Sequence, residues 1–383
     1  MEAYMKQKHV VLCGIDRIRE VETALKGKRV ALLTAASGVN KQGVPTYTVI
    51  SGIADLKVLL SPEHGLYSAM QDGLFGNEDG QIHPATGAKM YSLTSKGHPR
   101  LNEILSEVDI AVYDIQDVGA RFYTYLCNLT QVMRAAKEVG IPVLVLDRPN
   151  PIGGHITEGL LLDESKHSSF IGEFAIPTRY GLTVGEYAGY VNQEKEIGCQ
   201  LEIIPCVGWK RDMYFDETDL IWVNPSPNIP TVDSAINYIA HCVWEATNIS
   251  EGRGTTRPFD DVGAPFVDPE DLCRYMNSIG MEGVIFRPTY FTPMFNKHNG
   301  TVCGGMESHI TNRDTYRPFR AMLHIFAYMK KHPEMTTKPD GLALRVGQDF
   351  LMSDYDPEQV WLESCEQAQK FCKNVEKYKL YDL

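Results

Sequence analysis

The sequence lacks most of the marks that would place it in a familiar chemical class. No Gly-x-Gly-x-x-Gly follows its first apolar run, and it has no Gly-x-x-x-x-Gly-Lys-Ser/Thr loop. A phosphate-cradling nucleotide site of the usual kinds is therefore not expected. His-Glu-x-x-His and Gly-x-Ser-x-Gly are also missing, which argues against a zinc protease and an esterase. The nine cysteines are scattered without a Cys-x-x-Cys pair. That pattern suits free thiols in a reducing compartment better than a disulfide framework. No compact His/Cys/Asp pattern suits a catalytic metal, so neither metal nor cofactor is expected.

Positive charge is scarce. Lysine and arginine total 37 against 49 acidic residues, a net charge of −12. Such a surface repels phosphate backbones and anionic membranes, and no Lys/Arg run offsets it. Neither nucleic acid nor a membrane is an expected partner. Met1 to Asp16 holds no apolar run long enough for a signal peptide or a span. With Met1 as the native start this predicts a cytoplasmic protein. With a signal segment removed ahead of it, the expectation becomes periplasmic or extracellular.

What is present is a globular balance, 43% hydrophobic and 22% charged over 383 residues, enough chain for two domains. Val30–Leu33, Leu56–Leu60, Ile110–Val112 and Val143–Leu146 are continuous apolar runs, as in parallel strands covered on both faces. Leu201–Ile204 resembles a further strand. Leu126, Leu129, Met133 and Ala136 recur at helical spacing, with Gly140 as a stop. This alternation predicts an α/β protein with a Rossmann-like, doubly wound parallel sheet. A helix is expected over 234–247. Beyond it a helix over 269–279, strands over 283–286 and 301–310, and a helix over 314–331 no longer alternate. The expected division is a Rossmann-like catalytic domain over 1–262 and a smaller α+β domain over 263–383 that closes the cleft.

Each strand is followed by a polar stretch marked by glycine or proline, and open α/β sheets bind ligands at the carboxyl ends of their strands. Glu63 follows the second strand in Ser61-Pro62-Glu63-His64-Gly65. A shielded carboxyl there can act as a general acid; it can equally accept backbone N–H bonds, with His64 orienting the loop. The stretch Asp114–Tyr125 offers Asp117, Arg121 and Tyr123. It reads as a sugar-binding loop, in which polar groups hold hydroxyls and rings cover C–H faces. It also reads as a helix start where Asp117 caps and pairs with Arg121. Arg148, Arg253 and Arg257 could meet an anionic ligand group or be tied to Asp147 and Glu251. His298, in Lys297–Gly305, reads most simply as structural.

Five motifs together resemble one family, the exo-β-N-acetylmuramidases: Ser61–Gly65, Asp114–Tyr125, Asp147–Gly154, Trp222–Pro230 and Thr247–Phe259. They stand in the family's order, and the resemblance runs from about residue 10 to the end. It implies a Rossmann-like domain with a smaller second one, and a site between them. The implied reaction releases N-acetylmuramic acid from the non-reducing end of peptidoglycan fragments. Glu63 is the implied catalytic glutamate. The expected sugar-binding set is His64, Asp117, Arg121, Tyr123, Arg148, Asn150, Asn228, Glu251, Arg253, Arg257 and His298. Asp117, Glu251 or the substrate's acetamido group is the candidate base or nucleophile. The chain departs from the family pattern at Ala35-Ala36-Ser37, Tyr67, Thr94-Ser95-Lys96 and Asn299, so the pocket rim is expected to differ. A non-catalytic muropeptide-binding protein is the alternative, told apart by turnover.

Overall fold

The structure, a computed structural model, describes residues 8–71 and 73–383. Six short strands form one sheet: β1 (Arg29–Thr34), β2 (Asp55–Ser61), β3 (Lys89–Ser92), β4 (Ile110–Asp114), β5 (Val143–Leu146) and β6 (Leu201–Ile204). All neighbours are parallel, in the order β3-β2-β1-β4-β5-β6. This is the Rossmann order, with its switch point between β1 and β4. Val30 to Leu33 and all of β4 and β5 are buried, because helices cover both faces.

The helices have legible causes. Tyr125–Val139 ends at Gly140, whose φ of 75° closes the last turn. Val184–Glu194 starts in a capping box. The Thr183 hydroxyl accepts from the Glu186 amide, and the Glu186 carboxylate accepts from the Thr183 amide.

A second sheet is small and antiparallel, in the order β7-β9-β8, made of β7 (Asp261–Ala264), β8 (Val284–Phe291) and β9 (Cys303–Ile310). The four α-helices of this half, Pro269–Ser278, Pro318–Met329, Pro339–Val346 and Pro357–Val375, each begin with proline. Proline's missing N–H costs nothing in a first turn. Pro288 sits inside β8, which an edge strand tolerates. The expected helix over 234–247 is Val232–His241 followed by a tighter turn over Cys242–Ala246. Among the described residues no helix is long and apolar enough to cross a membrane.

Candidate active site

Glu63 lies two residues beyond β2, at the carboxyl edge of the large sheet. It is 8% exposed and held at both oxygens. Oε1 accepts from the Gly73 amide at 2.7 Å, and Oε2 accepts from the Thr124 hydroxyl at 2.8 Å. The carboxyl takes a backbone N–H, as one reading of the sequence has it, and it also lines a cavity. His64 adopts a left-handed φ of 72°. Its Nδ1 is 2.8 Å from the Met70 carbonyl oxygen. A carbonyl oxygen can only accept, so Nδ1 is the donor of that pair.

The cavity measures about 280 Å³, at the small end for ligand sites and suited to one substituted sugar ring. Phe75, Phe122, Tyr123, Phe170, Tyr238 and Phe259 line it. Phe122 meets Tyr238 edge to face at 4.9 Å, and Tyr238 meets Phe259 at 4.6 Å. Apolar ring faces beside a carboxyl fit a molecule with C–H faces and hydroxyl edges.

One wall is charged. Glu245 Oε1 is 2.6 Å from Arg253 Nη2, and Glu245 Oε2 is 2.5 Å from Arg345 Nη2. Burial alone would raise the Glu245 carboxyl, but the two guanidinium groups hold it down at about 2. Arg253 also pairs with Glu251 at 2.9 Å and lies 4.8 Å from the Phe259 ring centre. Glu251 takes Lys297 at 2.6 Å on its other oxygen. Three cations against two carboxylates leave one positive charge in a strongly acidic protein.

Of the residues read from sequence, the cavity gathers Glu63, His64, Tyr123 and Arg253. Asn228 adjoins it, donating to Gln71 Oε1 at 2.9 Å between the lining residues Ser226 and Ile229. Glu251 stands behind Arg253, 1% exposed. The remaining six are placed elsewhere.

Asp117 is not a helix cap, because the helix starts eight residues later with Thr124 ahead of it. It accepts from the Gly119 amide at 2.7 Å and from the Tyr180 hydroxyl, and burial lifts its carboxyl to about 6. Arg121 does not pair with Asp117. Its guanidinium donates to the carbonyls of Leu160 at 2.8 Å, Ile176 at 2.9 Å and Arg345 at 2.8 Å. Burial pushes Arg121 down to about 9, so it stays charged at neutral pH. Arg148 pairs with Asp114 (2.6 and 2.9 Å) rather than with Asp147, and also donates to the Val39 carbonyl at 2.6 Å. Asn150 donates to the Leu182 carbonyl at 2.9 Å. His298 Nε2 is 2.6 Å from the Asn248 carbonyl oxygen. Arg257 faces away from the cavity, its side chain 58% exposed and 3.6 Å from Glu307. Gly252 and Gly254, with φ of 76° and 87°, turn the loop so that Arg253 points inward and Arg257 does not.

Sequence reasoning missed Glu245 and Arg345. Glu245 carried one signal, a charge beside Trp244 in an otherwise apolar helix pattern. Arg345 lies a hundred residues further on, in a helix that was not read.

A Rossmann-ordered sheet with a held carboxyl, aromatic walls and a cationic side at its carboxyl edge defines a two-part α/β protein with a carbohydrate-type cleft. The comparisons give the family. Residues 30–233 match the model described as exo-beta-N-acetylmuramidase NamZ, N-terminal, and residues 236–381 match its C-terminal counterpart. The chain belongs to the exo-β-N-acetylmuramidase family. It is 44% identical over 323 residues to peptidoglycan beta-N-acetylmuramidase NamZ of Bacillus subtilis (strain 168), covering 83% of this chain and 77% of that protein. Two solved DUF1343 family proteins of Bacteroides fragilis NCTC 9343 share the fold. One has a TM-score of 0.86 at 30% identity, the other 0.77 at 26%, each covering 97% of this chain and 99% of its own.

Proposed function

We propose that the chain is an exo-acting glycoside hydrolase that releases N-acetylmuramic acid from the non-reducing end of peptidoglycan fragments. The likeness to the Bacillus subtilis muramidase, 44% over most of the chain, carries this reading. In it Glu63 donates the proton to the leaving glycosidic oxygen, a role that suits a fixed carboxyl at the cavity wall. The aromatic residues take the sugar's apolar faces, and the Arg253–Arg345 side favours the lactyl carboxylate. Residues 1–262 supply the acid, and residues from 263 onward close the cleft through Arg345.

The test is product analysis by mass spectrometry on two oligosaccharides, one ending in N-acetylmuramic acid and one in N-acetylglucosamine. Free N-acetylmuramic acid from the first, with the second nearly untouched, is expected. Binding without release would make the protein a sugar-binding module and end the hydrolase reading. The anomer formed in the first turnovers, followed by NMR, separates direct attack by water from a retaining route.

A further inference from the structure

The open face of the small sheet carries a group that the Glu63 cavity does not use. Asp261 on β7 stands directly opposite Glu307 on β9, and Glu307 stands opposite Arg287 on β8. Two carboxylates in direct cross-strand register repel each other. Glu307 is compensated: it pairs with Arg287, and it lies 3.6 Å from Arg257 and 3.3 Å from His309. Asp261 feels the Arg257 and Arg287 charges only at a distance; it is 5% exposed, and among the described residues its carboxyl has no hydrogen bond and no ion pair. A carboxyl so far withdrawn from water, with no hydrogen-bond donor of the protein facing it, is held less well as an anion. Burial and the nearby Glu307 accordingly raise its carboxyl to about 7.

Asp261 lines a second cavity of about 620 Å³, which shares no lining residue with the Glu63 cavity. Beside the charged row, Thr289 of β8 also lines it. Arg257 and Arg287 stand on the walls, their side chains 58% and 55% exposed. Tyr290, 70% exposed, also lines the trough.

We propose that this trough is a second saccharide site, which binds an acidic stretch of glycan chain apart from the sugar held at Glu63. Asp261 accepts from sugar hydroxyls, Arg257 meets a carboxylate, and the exposed Tyr290 ring offers a face to a sugar's C–H side. Arg257 and Arg287 stand against Glu307 and an Asp261 carboxyl raised to about 7, which leaves the trough a positive side in a protein of net charge −12. The site itself follows from the unpartnered Asp261; the choice of an acidic glycan rests on the muramidase reading.

The experiment measures binding rather than turnover. The full chain carrying Glu63→Gln is equilibrated with peptide-free strands of alternating N-acetylglucosamine and N-acetylmuramic acid. Its affinity is compared with that of the same chain also carrying Arg257→Ala or Asp261→Leu. Either added change should weaken binding about tenfold, the loss of one charge-assisted hydrogen bond, with melting temperature little altered. Arg257 is exposed, so its variant folds even if Asp261→Leu does not. Unchanged affinity in Arg257→Ala overturns the proposal. So does displacement of the strands by D-alanyl-D-alanine, which would assign the trough to peptide. Breakdown of the strands by the Glu63→Gln chain would instead count against Glu63 and leave the trough standing.

Discussion

Glu63→Gln should abolish hydrolysis of an ordinary glycosidic bond without unsettling the fold. The substitution keeps the shape of the side chain. Its amide oxygen can still accept from Gly73, and its nitrogen can donate to Thr124 Oγ once that hydroxyl rotates, so both contacts of the native carboxylate survive. The stability change should thus stay within about 1 kcal/mol, the scale of one ordinary hydrogen bond. The chemical loss is of another size. Losing a general acid typically costs about a hundred- to ten-thousandfold, or roughly 3–5 kcal/mol of barrier at 1.36 kcal/mol per decade. The two effects separate in one assay. kcat/KM is measured on a disaccharide, whose leaving hydroxyl needs a proton, and on an aryl glycoside, whose acidic phenol does not. The disaccharide should suffer the full loss and the aryl glycoside far less. Equal losses on both, or disaccharide activity within a few-fold of wild type, would remove Glu63 from the acid role.

Three further outcomes are expected. Arg345→Ala should lower kcat/KM on a muramic glycoside about ten- to a hundredfold and on the glucosamine counterpart much less; proportional losses would make Arg345 structural. Arg121→Met strands the Leu160, Ile176 and Arg345 carbonyls and should cost several kcal/mol at about 1–3 kcal/mol for each buried unpaired group, so an unchanged melting temperature would refute the clasp. Asp117 and Asp147, raised to about 6, and Asp261, raised to about 7, hold protons better folded than unfolded. Their help to folding is complete below about pH 4 and is lost as pH rises toward 7. The Glu245 carboxyl, held at about 2, acts the opposite way: its contribution is present above its ordinary range near 4.5 and is lost below it. Melting temperature should therefore peak on the acid side of neutrality, and Asp261→Asn should narrow the fall between pH 5 and pH 8. A flat profile in wild type would contradict the burial argument.

The large sheet was legible because its strands are buried on both faces and so are continuously apolar. β1, β4, β5 and β6 stand within one or two residues of where the runs place them, and β2 begins one residue early. β3 escaped because Lys-Met-Tyr-Ser is four residues long and half polar. In the second half Pro288 hid the length of β8, and the helix over Pro357–Val375 has a mixed surface pattern that was not read. For the site, a glutamate just beyond an apolar strand was visible. The direction each side chain takes was not. Arg148 reaches across to Asp114 and not to its neighbour Asp147, which accepts from Thr183 and Gly185 instead. Arg253 and Arg257 part company within one loop because two glycines turn between and beside them. Glu245 and Arg345 meet only through tertiary folding, which no local spacing records.

Arg121 has a mechanical consequence. It belongs to a loop of the large sheet, yet one of its nitrogens ends on the backbone of Arg345 in the other half. Swinging the halves apart about a hinge would pull one guanidinium nitrogen off the Arg345 carbonyl, while the Leu160 and Ile176 contacts stay within the first half. Such an opening is expensive on every turnover. Sugar must enter and leave through the rim, past side chains such as Phe75 and Phe170, whose rings lean together at 6.1 Å. The protein then works as a rigid vessel with a narrow neck, and its selectivity for chain ends is a property of that neck as much as of the charges inside.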